Sequence, residues 1–202
     1  DDFVVEVASN DGYLLKNFVA AGISCLGIEP ASNVAAAARA AGVPTEVTFF
    51  GLGAARDIVS QRGHPSLVIA NNVLAHVPDV NDFVAGLSYL AGPSGLISIE
   101  VPHLLQLVER TEFDTIYHEH YAYWSLHAMG AVFEAHGLAI VDVKNLPSHG
   151  GSLRVFARRF GASPSINVGR LRATEAMART TDSRFYGQFG TRVEHVISAF
   201  RE

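Results

Sequence analysis

A single cysteine, Cys25, leaves this chain no means of building a disulfide framework or a cysteine-rich zinc site. Its flanks, Ile23, Leu26 and Ile28, mark it as a buried strand residue rather than a reactive thiol, which fits a reducing cytoplasm. Long apolar runs are missing too. Nothing approaches the ~20 residues that span a bilayer, and no signal peptide is visible, so no membrane partner is expected. Charge is sparse, 17% of residues, and sums to −5, with Arg158-Arg159 the densest basic spot. That balance argues against a nucleic-acid partner, whose recognition depends on clustered Lys and Arg. What the chain has is apolar substance: 49% of its 202 residues, enough for a packed core. It opens without Met, enters a strand pattern by Phe3, and runs in helical period to Glu202, so it reads as a segment of a longer protein. Nothing in it specifies an oligomeric state.

The pattern alternates between strand and helix. Phe3–Ala8 is a β-branched run stopped by the turn-forming Ser9-Asn10-Asp11-Gly12. Tyr13–Ala21 has helical period and ends at Gly22; Ile23–Ile28 is a second strand; an alanine-rich helix follows and ends at Gly42. Thr45–Phe50 predicts a third strand, Leu52–Gln61 a helix, Leu67–Ala70 a fourth strand, Asp82–Leu90 a helix and Leu96–Val101 a fifth strand. Strands and helices in this succession form right-handed crossovers, hence a parallel sheet covered on both faces. Pro102–Trp124 carries no clean period and predicts a long functional loop. A helix over Ser125–His136 is followed by two strands, Leu138–Val143 and Ser152–Ala157, joined through Asn145–Gly151. Such a closing hairpin is unusual for doubly wound folds. Residues 1–160 thus read as one α/β domain. Residues 161–202 read as a linker (Gly161–Ser165) and a helical stretch whose stripe of Phe185, Phe189, Val193, Val196, Ile197 and Phe200 needs a partner.

In open α/β sheets a ligand sits beyond the carboxyl ends of the strands, at the switch in strand order. The first strand-to-helix turn, Glu6-Val7-Ala8-Ser9-Asn10-Asp11-Gly12, offers small residues for close backbone approach and two, Asn10 and Gly12, that tolerate left-handed backbone. The second strand ends in Glu29, a carboxylate able to accept hydrogen bonds from both hydroxyls of a ribose, followed by Pro30. The dinucleotide fingerprint G-x-G-x-x-G is absent. A pyrophosphate needs bare N–H groups at a helix N-terminus, whereas Asp11 and Glu6 repel phosphate and suit a cationic, phosphate-free ligand such as S-adenosylmethionine. The bland alternative is that Asp11 or Asn10 merely caps the helix.

Three motifs, Glu6-Val7-Ala8-Ser9-Asn10-Asp11-Gly12-Tyr13-Leu14, Tyr117-His118-Glu119-His120 and Ser148-His149-Gly150-Gly151-Ser152-Leu153-Arg154, resemble those of C-methyltransferases acting on nucleotide-linked deoxysugars, the tetronitrose-type sugar 3-C-methyltransferases. They occur in family order between Phe3 and Arg159. The resemblance implies the Rossmann-like doubly wound sheet of class I methyltransferases, mostly parallel with an antiparallel terminal hairpin strand. It implies S-adenosyl-L-methionine as cofactor, held by Glu6, Ala8, Ser9, Asn10, Gly12, Glu29, Pro30, Asn71 and Asn72. The acceptor it implies is a small-molecule nucleotide-sugar. The family adds a small zinc-binding domain before this core and a second α/β domain after it, neither of which is present here.

Methylating carbon requires a carbanion equivalent. In a 4-keto sugar, removing the proton next to the ketone gives an enolate; the base should titrate near operating pH, as imidazole does. On a helical turn Tyr117, His120 and Tyr121 would share one face. The resemblance assigns the base to His120, with Tyr117 and Glu119 as catalytic neighbours and His76, after Asn71-Asn72-Val73-Leu74-Ala75, as a further active-site residue. Glu119 reads equally as a carboxylate that only orients a histidine. His118 reads as structural, His127 and His136 as surface residues, and His149 as a substrate contact or simply part of a tight hairpin. His103 either lines the pocket or is solvated. A metal site built on His118, Glu119 and His120 is the rival reading. Histidines at i, i+2 converge only from a strand, so no metal is assigned. Two other functions fit less well: a methyltransferase with another small acceptor, for example by O-methylation, and a non-catalytic cofactor-binding scaffold.

Overall fold

The computed structural model describes residues 2–159, 161 and 163–201. Parts of the expected linker (Ala162) and the end of the last helix (Glu202) therefore lie outside the described residues. Seven strands form one sheet: β1 Phe3–Val7, β2 Ser24–Ile28, β3 Thr45–Glu46, β4 Leu67–Asn71, β5 Leu96–Pro102, β6 Leu138–Leu146 and β7 Ser152–Arg159. Their order is β3-β2-β1-β4-β5-β7-β6. The pairs among β1 to β5 are parallel, and β7 runs antiparallel to both neighbours. The doubly wound sheet and its antiparallel hairpin strand are as the sequence predicts.

Alternation along the strands feeds two cores. Val4, Cys25 and Ile69 face Leu15 and Ala38, which lie on α1 (Leu15–Ala20) and α2 (Ser32–Ala40). Val5, Leu26, Val68, Ile97 and Val155 face the other way, onto α3 (Leu52–Arg62), α4 (Val80–Ala91) and α6 (Leu126–Ala135). The helix starts are chemically marked. Asp79 caps α4 through Asp82 N, and Ser125 caps α6 through Ala128 N at 3.1 Å. Gly22, at φ 71°, closes α1 in the left-handed conformation a helix end requires.

Three expectations need correction. Only Thr45 and Glu46 of the expected third strand pair, because β3 is an edge; Thr48, Phe49 and Phe50 leave the sheet to wall a cleft. The stretch 102–124 contains a helix, α5 (Leu104–Arg110), and a 3-10 turn, Phe113–Thr115. Seven residues are too few to display a period, yet Leu105, Leu107 and Val108 are buried. Tyr117 and His120 share a single turn closed by His120 N to Tyr117 O at 3.1 Å. Tyr121 does not join that face: its N–H turns to the Ala75 carbonyl at 2.8 Å and the side chain is exposed.

After the expected boundary near residue 160 the chain folds back. Val168 and Leu171 of α7 (Ile166–Ala178) enter the core against β6 and α6. α8 (Ser183–Ala199) follows a left-handed Arg179 and lies against α5, buries none of its residues, and leaves Ile197 and Phe200 exposed.

Candidate functional site

The order of the strands reverses between β1 and β4, and a crevice opens there beyond their carboxyl ends. Ala8, Asn10 and Gly12 have φ of 56°, 54° and 77°, so the turn after β1 is wound by three left-handed residues in alternation. That conformation strains Ala8, and such strain concentrates at ligand-binding turns. The turn sits low over the sheet because Gly27, opposite Glu6 on β2, has no side chain; a Cβ there would lie 2.4 Å from Ser9 Oγ. Nothing in the motif reading pointed to Gly27. A glycine inside an otherwise apolar strand was the available signal.

Glu29 locks the turn. It is 8% exposed, and its two oxygens accept from Asn10 N at 3.1 Å and Ala31 N at 2.9 Å. A carboxylate has about four acceptor positions, so two remain for hydroxyls. Beside it a cleft of about 410 Å³ is walled by Ala8, Ile28, Pro30, Phe50, Val73 and Phe83, a size suited to a nucleoside.

Oxygens without partners lie on or just past β1 and β4, the strands that flank the switch point. Among the described residues Glu6 Oε2, Ser9 Oγ, Asn71 Oδ1 and Asn72 Oδ1 are buried and make no hydrogen bond. Buried polar groups are nearly always paired in a protein at work. The carboxylate and the two amide oxygens accept, and the Ser9 hydroxyl can do so too, so a group that brings donors and positive charge fits them. The residues suit a cationic, hydroxyl-bearing nucleoside. They do not suit a phosphate. Burial pushes the Glu6 carboxyl up to about 8, and burial and the nearby Glu6, Glu100 and Asp11 charges raise the Tyr13 phenol.

The histidines gather at the rim of this crevice. The rings of His76 and His120 stand 4.8 Å apart, and Tyr117 and Tyr123 lie 4.3 and 5.8 Å from His120. His120 Nδ1 is 2.8 Å from the Thr115 carbonyl, and His76 Nδ1 is 3.1 Å from the Glu119 carbonyl. A carbonyl only accepts, so each Nδ1 carries a hydrogen, and in the neutral ring the lone pair falls on Nε2. Glu119 therefore touches His76 through its main chain; its exposed carboxylate is 4.0 Å from His118, which is itself exposed. Among the described residues no group of three or more His, Cys, Asp or Glu side chains is arranged around a metal position.

His103 fits neither sequence reading. It is 2% exposed, and its Nε2 donates to Glu175 at 2.9 Å. Glu175, on α7, also receives Leu126 N at 2.6 Å and His127 N at 2.9 Å. Burial alone would raise this carboxyl, but His103 and the two N–H donors outweigh it and hold it below the ordinary range. His103 is thus a buried link between the end of β5 and α7. His127 is exposed as expected, while His136 is half-buried and bonds Asn81 at 3.0 Å.

The glycine-rich turn before β7 has a structural reason of its own. A Cβ on Gly150 would meet Glu112, and one on Gly151 would meet Gln106. His149 within it is exposed and left-handed at φ 52°. The end of the same motif reaches the site: Arg154 pairs with buried Glu100 at 2.5 Å, and Ser148 Oγ donates to Glu100 at 2.9 Å. Glu100 was not anticipated, although a carboxylate amid Ile97, Ile99 and Val101 signals a partnered buried charge.

Comparison with known proteins bears on the family and the fold. Residues 2–143 match the family model described as a methyltransferase domain, and residues 147–202 match one described as a C-methyltransferase C-terminal domain. C-methyltransferase NovU of Streptomyces niveus is 38% identical over 203 residues, which takes in 100% of this chain and 48% of NovU. The chain thus spans about half the length of that curated relative. A SAM-dependent methyltransferase of Anabaena variabilis superposes with a TM-score of 0.61 at 13% identity, covering 78% of this chain and 77% of its own. Magnesium protoporphyrin IX methyltransferase of Synechocystis PCC 6803, solved with bound SAM, gives 0.57 at 14% identity over 77% and 69%. Likenesses at these identities concern the fold, and the fold is the same.

Proposed function

The chain belongs to the methyltransferase-domain family, and on that footing we propose that it is the methyltransferase part of a C-methyltransferase that uses S-adenosylmethionine. We place its acceptor among nucleotide-linked keto-deoxysugars, activated as the enolate. The observation that carries this reading is the pair of histidines at the cleft rim, each with Nδ1 tied to a carbonyl and Nε2 left basic. Alkylating an oxygen needs no carbon acid to be ionised, whereas a carbon centre does. A fixed imidazole with a neighbouring phenol matches that need.

When bound, the cofactor supplies an electrophilic methyl on a sulfonium centre. In this reading Glu29 takes the ribose hydroxyls on its remaining lone pairs, Ala8, Ser9, Asn10 and Gly12 bring the backbone close, and Pro30 borders the base. Asn71, Asn72 and Glu6 supply the unpaired oxygens that receive its ammonium end. His120 Nε2 removes the proton beside the ketone, and Tyr117 donates a hydrogen bond to the oxygen that becomes anionic. His76, 4.8 Å away, stands where it can receive or return a proton. Glu119 acts through its carbonyl on His76. A cytoplasmic location accords with the lone buried Cys25, and no described helix is long and apolar enough to cross a membrane.

The test uses the full-length protein and a 4-keto nucleotide-sugar in deuterium oxide. His120→Ala abolishes exchange of the hydrogen beside the ketone and lowers methylation by about 10²–10⁴-fold, the usual share of a general base. Cofactor affinity stays unchanged. Exchange persisting at the wild-type rate contradicts the assignment.

A further inference from the structure

Glu6 is an anomaly that cofactor contact alone does not explain. It sits on β1, 2% exposed, in no ion pair among the described residues, with Oε2 unpaired. The strands on either side oppose it with Gly27 and Ile69, neither of which can compensate a charge. The titratable groups around it are of the wrong kind. Burial first, and then the Glu6 charge, disfavour ionisation of the Tyr13 phenol, at the entry to α1, and of the Cys25 thiol, from β2, so neither supplies a positive partner. Asp11 adds a further negative charge near Tyr13. Glu100 and Arg154, from β5 and β7, are committed to one another. A bare carboxylate in such a pit is costly, and the cheaper state is the neutral acid.

The other buried oxygens without partners where β1 and β4 end, those of Ser9, Asn71 and Asn72, make the same point from the other side. They prepare the pit for a group with several N–H donors and a positive charge, which a neutral acid cannot fully attract. The two states of Glu6 therefore belong to two states of the site. We propose that Glu6 holds a proton in the cofactor-free protein and surrenders it to solvent when the cofactor's ammonium end enters, so that the pit exchanges a proton for a cation. This rests on the reading of the crevice as an S-adenosylmethionine site. Glu6 thereby selects for ligands that place an ammonium group at this position; one without such a group would find no exchange to drive its entry.

Linkage fixes what must be seen. Burial raises the free carboxyl to about 8, so near pH 7 roughly 0.9 proton leaves per cofactor bound, and near pH 9 roughly 0.1. Affinity then rises close to tenfold per pH unit from about pH 6 to 7.5 and levels off above about 8.

Titration calorimetry of the wild-type protein with S-adenosylmethionine and with S-adenosylhomocysteine, at one pH in phosphate and in Tris, reads the proton directly. The binding heat should differ between buffers by close to the full difference in their ionisation heats at pH 7. Glu6→Gln should lose both the buffer dependence and the rise in affinity with pH, and should bind less tightly by about tenfold or more above pH 8. A carbon-13 titration of the glutamate side chains in the ligand-free protein, which needs no variant, should show one carboxyl ionising far above the rest. Binding with buffer-independent heat and a flat pH profile overturns the exchange while leaving the cofactor site intact. No binding of either nucleoside overturns the site itself, and the exchange with it.

Discussion

Gly27 shows how a single missing side chain sets the turn after β1. Its Cβ position is 2.4 Å from Ser9 Oγ, closer than real Cβ contacts come, and Ser9 is fully buried. Gly27→Ala must lift the turn or shift β2, a cost of about 1–3 kcal/mol by the usual measure of overpacking. Because the turn carries Asn10 to Glu29, cofactor affinity should fall more than stability does, by at least tenfold in a calorimetric titration. A melting temperature that drops with unchanged affinity would place Gly27 in the core alone. Glu6 gives the residue scale a second prediction, this time of stability. Its folded pKa lies above the unfolded value, so its contribution is complete below about pH 4.5 and drains away as pH rises through about 8. Thermal melts of the ligand-free protein should therefore weaken across that window, and Glu6→Gln should flatten the loss. At this scale the left-handed backbone of Asn10 and Gly12 was legible because both residue types tolerate it. Gly27 was not, because its duty is to be absent beneath Ser9. Nor was His103, whose partner lies 72 positions along the chain.

Elements were legible where a period had room to repeat. β1, β2, β4 and β5 are apolar runs bounded by turn residues, and α4 and α6 begin at recognisable caps. The failures are short elements whose form depends on their surroundings. α5 is two turns long, fixed by Leu105, Leu107 and Val108 against the core rather than by propensity. The Tyr117–His120 turn stops because Tyr121 and Ala122 are claimed by the Ala75 carbonyl. α7 is the element whose attachment matters most. Glu175 receives two N–H groups of the first turn of α6 together with His103, and so fastens the segment after β7 to the helix that follows the active-site loop. Glu175→Ala strands all three donors, and destabilisation on the order of 3 kcal/mol is expected by chemical denaturation. Glu175→Gln, which retains one acceptor, should recover part of it. Loss of less than about 0.5 kcal/mol in the alanine variant would mean that the hub is incidental.

At the scale of the whole molecule, handed crossovers and the reversal of strand order between β1 and β4 leave one place where a ligand can meet several strand ends at once. The antiparallel β7, inserted between β5 and β6, brings Arg154 to Glu100 at that same edge. The long segment after β5 returns past Ala75 and sets His120 beside His76. Acidic and amide oxygens where β1 and β4 end, with imidazoles beside them, are what the proposed meeting of a cationic nucleoside and a carbon acid rests on. The most direct measurement is equilibrium binding of S-adenosylhomocysteine to this chain, with NAD as competitor and Glu29→Ala as control. The account predicts saturable one-to-one binding, weakened about 30–100-fold by the substitution and untouched by NAD. Absence of binding, or displacement by the diphosphate-bearing dinucleotide, would contradict it.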